Sequence, residues 1–238
     1  MSALKSHHAN DWASPGDPMP DVGVWDMMPH FVNGYYDNTF NTITLPAADF
    51  QPGLFHDEWP AFMNYGALGS MVGHEIGHAL DQDGSRYRPD GVEMNWWTDN
   101  STATFRGKMQ CFVDQYDEYY IVDGVGRKIY LNGRLEANEN MADAAGLKAA
   151  YRAYQLHKAQ HGESPRLPGM EQWTGDEMFF IAYAYSFCAG YSLAEAQDNI
   201  QSDGHALQMF RILGPLENSA YFKEVFQCPA KQPTCEMF

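Results

Sequence analysis

The sequence predicts an α+β domain, mostly helical, with a small sheet edge near its start. Three observations point there. Apolar residues recur at helical spacing through most of the chain after residue 65. A strand-like run rich in Tyr, Thr, Ile and Phe lies between Phe31 and Leu45. Hydrophobic residues make up 45% of the 238 positions, ample for a sizeable core.

Taken in order, residues 1–22 are rich in Pro, Gly, Ser and Asp and read as a mobile lead-in, which leaves 23–238 as the folded domain. Phe31–Leu45, broken by Asp37-Asn38, reads as a hairpin. Residues 46–62 hold Pro46, Pro52 and Pro60 and read as loop. A helix of small apolar residues follows from about Tyr65 to Gln82. Thr98 is placed to cap a helix running to about Tyr119. Residues 138–161 form a long amphipathic helix with Met141, Leu147, Tyr151 and Tyr154 near one side. Asp176 is expected to cap an apolar helix over 177–188, and two more helices are expected near 193–202 and 215–226.

Composition excludes some functions. Asp plus Glu number 31 against 15 Lys plus Arg, a net charge of −16, and such a surface repels a phosphate backbone, so nucleic acid is not an expected partner. No signal peptide is visible in Met1–Asn10. The longest apolar stretch, Phe179–Tyr191, falls short of the roughly 20 residues a spanning helix needs; a buried helix is expected there instead. Four cysteines, Cys111, Cys188, Cys228 and Cys235, form no CxxC pair, which argues against a zinc ribbon; composition alone does not choose between disulfides and buried thiols. Asn100-Ser101-Thr102 is a glycosylation sequon.

The chemistry concentrates in His74-Glu75-Ile76-Gly77-His78. Two His four apart on a helix project from one face, so their ring nitrogens can meet one zinc ion, and Glu75 between them can reach a metal-bound water. Asp81, about one turn on, can accept the free ring N–H of a ligand histidine and fix its tautomer. A peptidase zinc needs a third protein ligand and an open position. Asn138-Glu139-Asn140-Met141-Ala142-Asp143 offers two carboxylates at i and i+4, but spacing does not choose Glu139 over Glu136, and near a helix N-terminus both also read as surface acids.

HEIGHALDQDG, with NGYY before it and ENMAD after it, resembles the neprilysin and endothelin-converting-enzyme family of zinc metallopeptidases. The resemblance runs on through Glu93–Thr98, Leu131-Asn132-Gly133, Ala150–Tyr154, Phe210-Arg211-Ile212 and Asn218-Ser219-Ala220, covering about residues 25–238. It implies a thermolysin-like zincin lobe holding one zinc ion through His74, His78 and Glu139, with Glu75 as general base and Asp81 and Asp143 orienting the histidines. It implies further that His205 stabilises the oxyanion, that Arg211 binds a substrate carbonyl, and that Asn33 and Gly34 dock the peptide as an added strand. Without it, His205 would read as a loop histidine and Arg211 as a surface ion-pair residue.

The implied activity is hydrolysis of internal peptide bonds on the amino side of large apolar residues. The implied location is an extracellular or membrane-attached ectodomain. Departures are visible. Gly34 stands where the family usually has Ala, Phe187 where it has Trp, and Phe238 ends the chain in place of Trp; an altered pocket shape is expected, with Phe187 lining or flanking it. Family disulfides pair Cys111 with Cys235, whereas the counterparts of Cys188 and Cys228 bond to a long N-terminal portion without a counterpart in this sequence. That gap motivates a second reading, a zinc-binding but inactive lobe that serves as a binding module or needs a partner lobe. The aromatic-rich segments Trp25–Phe31 and Phe179–Tyr191 are the surfaces expected to meet such a partner.

Overall fold

Tyr35–Asp37 (β1) and Thr42–Thr44 (β2) pair antiparallel, with Tyr36 opposite Ile43. The Asp37 carboxylate accepts the amides of Thr39 and Phe40 at 2.7 and 3.0 Å and turns the chain. The hairpin is therefore present, though shorter than its sequence signal. The computed structural model describes residues 27–229 and 234–237, so the expected lead-in over 1–22 lies outside the described residues. The proline-rich connection that follows contains one 3₁₀ turn, Ala47–Phe50.

The first helix begins earlier and ends sooner than expected. Ala61–Asn64 (α1) runs through a π-type segment, Tyr65–Gly69, into Ser70–His78 (α2). Gly66 permits the approach of the next apolar helix: a Cβ there would lie 2.9 Å from the Ala182 Cβ and would collide with the Phe179 carbonyl. The helix stops at His78 because Asp81 captures the amides of Asp83 and Gly84 at 2.8 and 2.7 Å, closing a turn in place of a further helical one.

Asp99–Asp117 (α3) starts at Thr98, whose hydroxyl accepts the Ser101 amide, as expected. Tyr120–Val122 (β3) and Lys128–Tyr130 (β4) then form a second hairpin that the sequence reading did not include. Ala137–His161 (α4) is the long helix. Gly175–Ser186 (α5) is capped by Thr174, with Glu177 completing a reciprocal box; Asp176 does not cap it. Asp176 instead receives Lys158 and Gln155 from α4. The first part of the apolar stretch is buried as expected, with Phe179, Phe180, Ala182 and Tyr183 at the centre, but the helix ends at Ser186, and Tyr185 and residues 188–191 are exposed.

Leu193–Ser202 (α6) matches expectation. The helix expected over 215–226 is two: Gln208–Asn218 (α7) and Ala220–Phe226 (α8), separated at Ser219, which caps the second. Pro215, where the expected helix starts, sits inside α7. Proline supplies no N–H, so the carbonyl four residues back loses its helical partner. That carbonyl belongs to Arg211, and the Tyr183 hydroxyl donates to it at 2.7 Å.

Three apolar clusters hold these pieces. Tyr151, Tyr154, Phe179 and Phe180 join α4 to α5 and α1. Phe112, Val113 and Met141 join α3 to α4, with Cys235 and Met237 of the tail against them. Tyr116, Ile200, Leu207 and Phe210 gather α3, α6 and α7. The Cys111–Cys235 disulfide closes the tail onto α3, the pairing the resemblance implies, while Cys188 and Cys228 are free and exposed.

Candidate active site

Two helices cross where glycine removes the side chains between them. A Cβ on Gly73 would lie 2.8 Å from the Gly146 carbonyl, and one on Gly146 would lie 2.5 Å from the His74 amide. A Cβ on Gly77 would press on Ala142 Cα at 3.1 Å. This small-residue seam lets α2 and α4 touch backbone to backbone. It is what brings His74 and His78 within reach of a carboxylate from the other helix.

Glu139 is that carboxylate. Its Oε2 lies 3.1 Å from His74 Nε2 and 3.6 Å from His78 Nε2, and the two imidazole nitrogens are 3.0 Å apart. Among the described residues these three side chains form a group able to hold a metal ion, and no fourth His, Cys, Asp or Glu joins it. The donor set, two imidazoles and one carboxylate, suits zinc and leaves a position open, as catalytic rather than structural sites do.

The outer ring fits as well. Asp143 Oδ1 lies 2.7 Å from His74 Nδ1, and Asp81 Oδ2 lies 2.7 Å from His78 Nδ1. Each histidine thus has its far nitrogen against a carboxylate that can accept its N–H and its near nitrogen facing the cluster, the orientation a metal ligand needs. Asp81 is 4% exposed, so it is no solvated helix-end residue. Asp143 is in turn gripped by Arg211, whose Nε and Nη2 donate to it at 2.8 and 2.7 Å.

The electrostatics follow. Burial pulls His74 down, but Asp143 and Glu139 outweigh it and raise it to about 8. His78 rises to about 10 against burial, through Asp81 and Glu139. Burial works to raise Glu139, yet His205, His74 and His78 hold it well below the usual carboxylate range. Glu75, 4% exposed, is pushed up by burial while the two histidines pull it partly back. Three carboxylates around two imidazoles make a pocket that attracts a cation.

The remaining expected residues gather here too. His205 Nε2 lies 3.1 Å from Glu139 Oε2, and its Nδ1 lies 2.9 Å from Asp203 Oδ1, which also accepts the His205 amide. Phe187 lies under the Arg211 guanidinium, 4.8 Å from ring centre to Cζ. Asn33, Gly34, Phe187, His205 and Arg211 all line one cleft of about 600 Å³, together with His74, His78 and Glu139. Gly34 abuts Glu75, since a Cβ there would stand 3.0 Å from Glu75 Oε1.

Glu136 separates from Glu139. It is neither in the cluster nor on the surface, being 0% exposed, which corrects the expectation of a surface acid. Neither of its oxygens has a hydrogen-bond partner of good geometry. Burial raises its pKa to about 7, with the Asn140 side chain moderating and Asp117 and Asp203 adding to the rise. A carboxyl raised from about 4.5 to about 7 on folding destabilises the fold as pH climbs through that window, with the full penalty above about 7. Glu136→Gln should therefore stabilise the chain at pH 8 by about 2 kcal/mol and do little at pH 4.5. Denaturant titrations at the two pH values check this, and an equal effect at both would refute it.

Residues 33–237 match the model of peptidase family M13. The chain belongs to that family. It is 39% identical over 213 residues to neprilysin-11 of Caenorhabditis elegans, covering 90% of this chain and 25% of the relative. It is 36% identical over 214 residues to human endothelin-converting enzyme 1, covering 90% and 27%. Among solved structures, Mycobacterium tuberculosis zinc metalloprotease Zmp1 superposes with a TM-score of 0.83 at 31% identity, over 92% of this chain and 34% of that one. PepO from Lactobacillus rhamnosis gives 0.72 at 31%, over 90% and 31%. The fold is thus the zincin lobe of the M13 peptidases, and the chain spans about a quarter to a third of these relatives.

The sequence reading missed two things at the site. The Arg211–Asp143 pair joins residues 68 positions apart and has no local signal. The Gly73–Gly146 seam was visible only as glycine in a helical pattern, a signal of close packing.

Proposed function

We propose that the chain is a zinc-dependent endopeptidase lobe that binds one zinc ion through His74, His78 and Glu139 and cleaves peptides before large apolar residues. The observation that carries this reading is the pairing of a three-ligand group, open on the cleft side, with a buried carboxylate between its two histidines. Zinc bound there would polarise the scissile carbonyl and bring the pKa of a bound water toward about 7. Glu75 takes the water's proton on its carboxylate and delivers it to the leaving amine; its burial-raised pKa suits both halves of that task. His205, held by Asp203, stands at the cleft wall to donate to the oxyanion. Asn33 and Gly34 offer backbone groups to an extended peptide. Arg211 holds Asp143, and through it His74, while flanking the substrate carbonyl.

The partner reading stands beside this one. The coverage of a quarter to a third of the relatives, and the free, exposed thiols of Cys188 and Cys228, support a separate lobe that closes over the cleft and bonds to these sulfurs. The described part of Trp25–Phe31 contributes exposed Met28 and Phe31 to such a surface. Ectodomain placement belongs to this proposal. Among the described residues no helix is long and apolar enough to cross a membrane.

The test is a digest by the purified, zinc-loaded chain of a short apolar peptide and of an unfolded protein, each with and without chelator. The expected result is cleavage of both, lost on chelation and restored by zinc, with no size limit where no lobe covers the cleft. Bound zinc without cleavage of either substrate would favour the inactive-lobe reading.

A further inference from the structure

The turn of α7 that carries Arg211 is held by two buried tyrosines from two other helices. The Tyr116 hydroxyl of α3 donates to the Phe210 carbonyl at 3.3 Å, and the Tyr183 hydroxyl of α5 donates to the Arg211 carbonyl at 2.7 Å. Two residues of α7 make this possible. Gly214 leaves room for Tyr116, since a Cβ there would collide with its hydroxyl. Pro215 brings no N–H, so the Arg211 carbonyl is free to accept from outside the helix. Burial, with the Asp143 charge adding to it, pushes the Tyr183 phenol well above its ordinary range, so it remains a donor.

A phenylalanine would fill either site without burying a hydroxyl, and a buried hydroxyl is costly unless it is bonded. What the Tyr183 hydroxyl adds is control over where the Arg211 side chain starts. From that turn the guanidinium reaches Asp143 with two donors, Nε and Nη2, a fork whose geometry is specific. Asp143 Oδ1 accepts from Nη2 and also lies 2.7 Å from His74 Nδ1. The end of α5 meets Arg211 twice: Tyr183 bonds its backbone, and Phe187, one turn on, lies under its guanidinium. A path of direct contacts therefore runs from Tyr183 through Arg211 and Asp143 to His74.

We propose that Tyr183 is a positioning residue for the metal site: its hydroxyl takes up the carbonyl that Pro215 leaves free, and so fixes the backbone from which Arg211 grips Asp143 and keeps His74 aimed at the metal. The proposal rests on the zinc-peptidase reading above, but its effect on the metal is measured without substrate. Removing the hydroxyl leaves a buried carbonyl without that donor, and α7 relieves the loss by shifting, which carries the fork off Asp143.

Three variants test it: Tyr183→Phe, Pro215→Ala and the two together. Tyr183→Phe keeps the ring and removes the donor. Pro215→Ala restores a helical N–H four residues after Arg211, so it supplies a donor to the same carbonyl from within α7. Zinc affinity, measured by competition with a chromogenic chelator, should fall about 10-fold in Tyr183→Phe, the low end of the cost of losing a partner that supports a ligand. It should stay within about twofold of the unaltered chain in Pro215→Ala and in the double variant, a non-additive rescue. A tyrosine that only fills space gives a different pattern: unaltered zinc affinity in Tyr183→Phe, or a loss that Pro215→Ala does not restore. Either result overturns the proposal. If Tyr183→Phe does not fold, the double variant decides alone. Zinc affinity matching that of Pro215→Ala then upholds the proposal, and a double variant that misfolds or binds zinc about 10-fold more weakly overturns it. Zinc bound by an unaltered chain that cleaves no peptide would sink the peptidase reading only, since Tyr183 is judged on metal affinity.

Discussion

Glu139→Ala should strip zinc from the chain. His74 and His78 alone give two ligands, and their near nitrogens are held 3.0 Å apart by the helix that carries them. The carboxylate from α4 closes the triangle. Losing a residue that merely supports a ligand costs about 10–100-fold in metal affinity, so losing a ligand itself should cost more than about 100-fold. Glu136→Gln is the control, because Glu136 stands just before the start of the same helix, three residues before Glu139, and takes no part in the cluster. Zinc content after dialysis against a weak chelator separates the two. Zinc retained by Glu139→Ala, or lost from Glu136→Gln, would overturn the ligand assignment.

Much of this site was legible because its residues lie on two helices whose local patterns are strong. HExxH on one helix and ExxxD on the next place their side chains by helical geometry alone, so the sequence spacing already determines which face each residue occupies. What spacing could not do was choose between Glu136 and Glu139, since the choice depends on how α4 is rotated against α2. Gly73, Gly77 and Gly146 set that rotation, and their effect appears only when two distant segments are brought together. Arg211 is illegible for the same reason. Elsewhere the misses are local. The helix start is set by Thr174, two residues before Asp176, because Glu177 stands three residues on from it to complete the box. The β3–β4 hairpin carries Asp123-Gly124 between Tyr120-Ile121-Val122 and Lys128-Ile129-Tyr130, a short-range hairpin signal in the sequence. Pro215 is accommodated inside α7 because the Tyr183 hydroxyl donates to the Arg211 carbonyl that proline leaves free, a partner no local pattern shows.

Glu75→Gln should leave the metal in place and remove the chemistry. Glu75 is outside the His74–His78–Glu139 group; it lies on α2 between the two histidines and lines the cleft, 4% exposed. The amide has nearly the same shape, so α2 and its contact with α4 should persist, and zinc content should match the unaltered chain. What changes is proton affinity. A carboxylate raised by burial can hold the water's proton through the attack and release it to the amine; a carboxamide cannot accept it at all. General acid–base assistance is worth about 10²–10⁴ in rate, so kcat should fall by that factor while KM stays near its original value. The variant also removes a buried acid from between two histidines that depend on nearby carboxylates for their raised proton affinity, so its zinc affinity should be measured beside its rate. A rate within about tenfold of the unaltered chain, with zinc fully bound, would mean that another group takes the proton. The assignment of Glu75 as base would then be wrong.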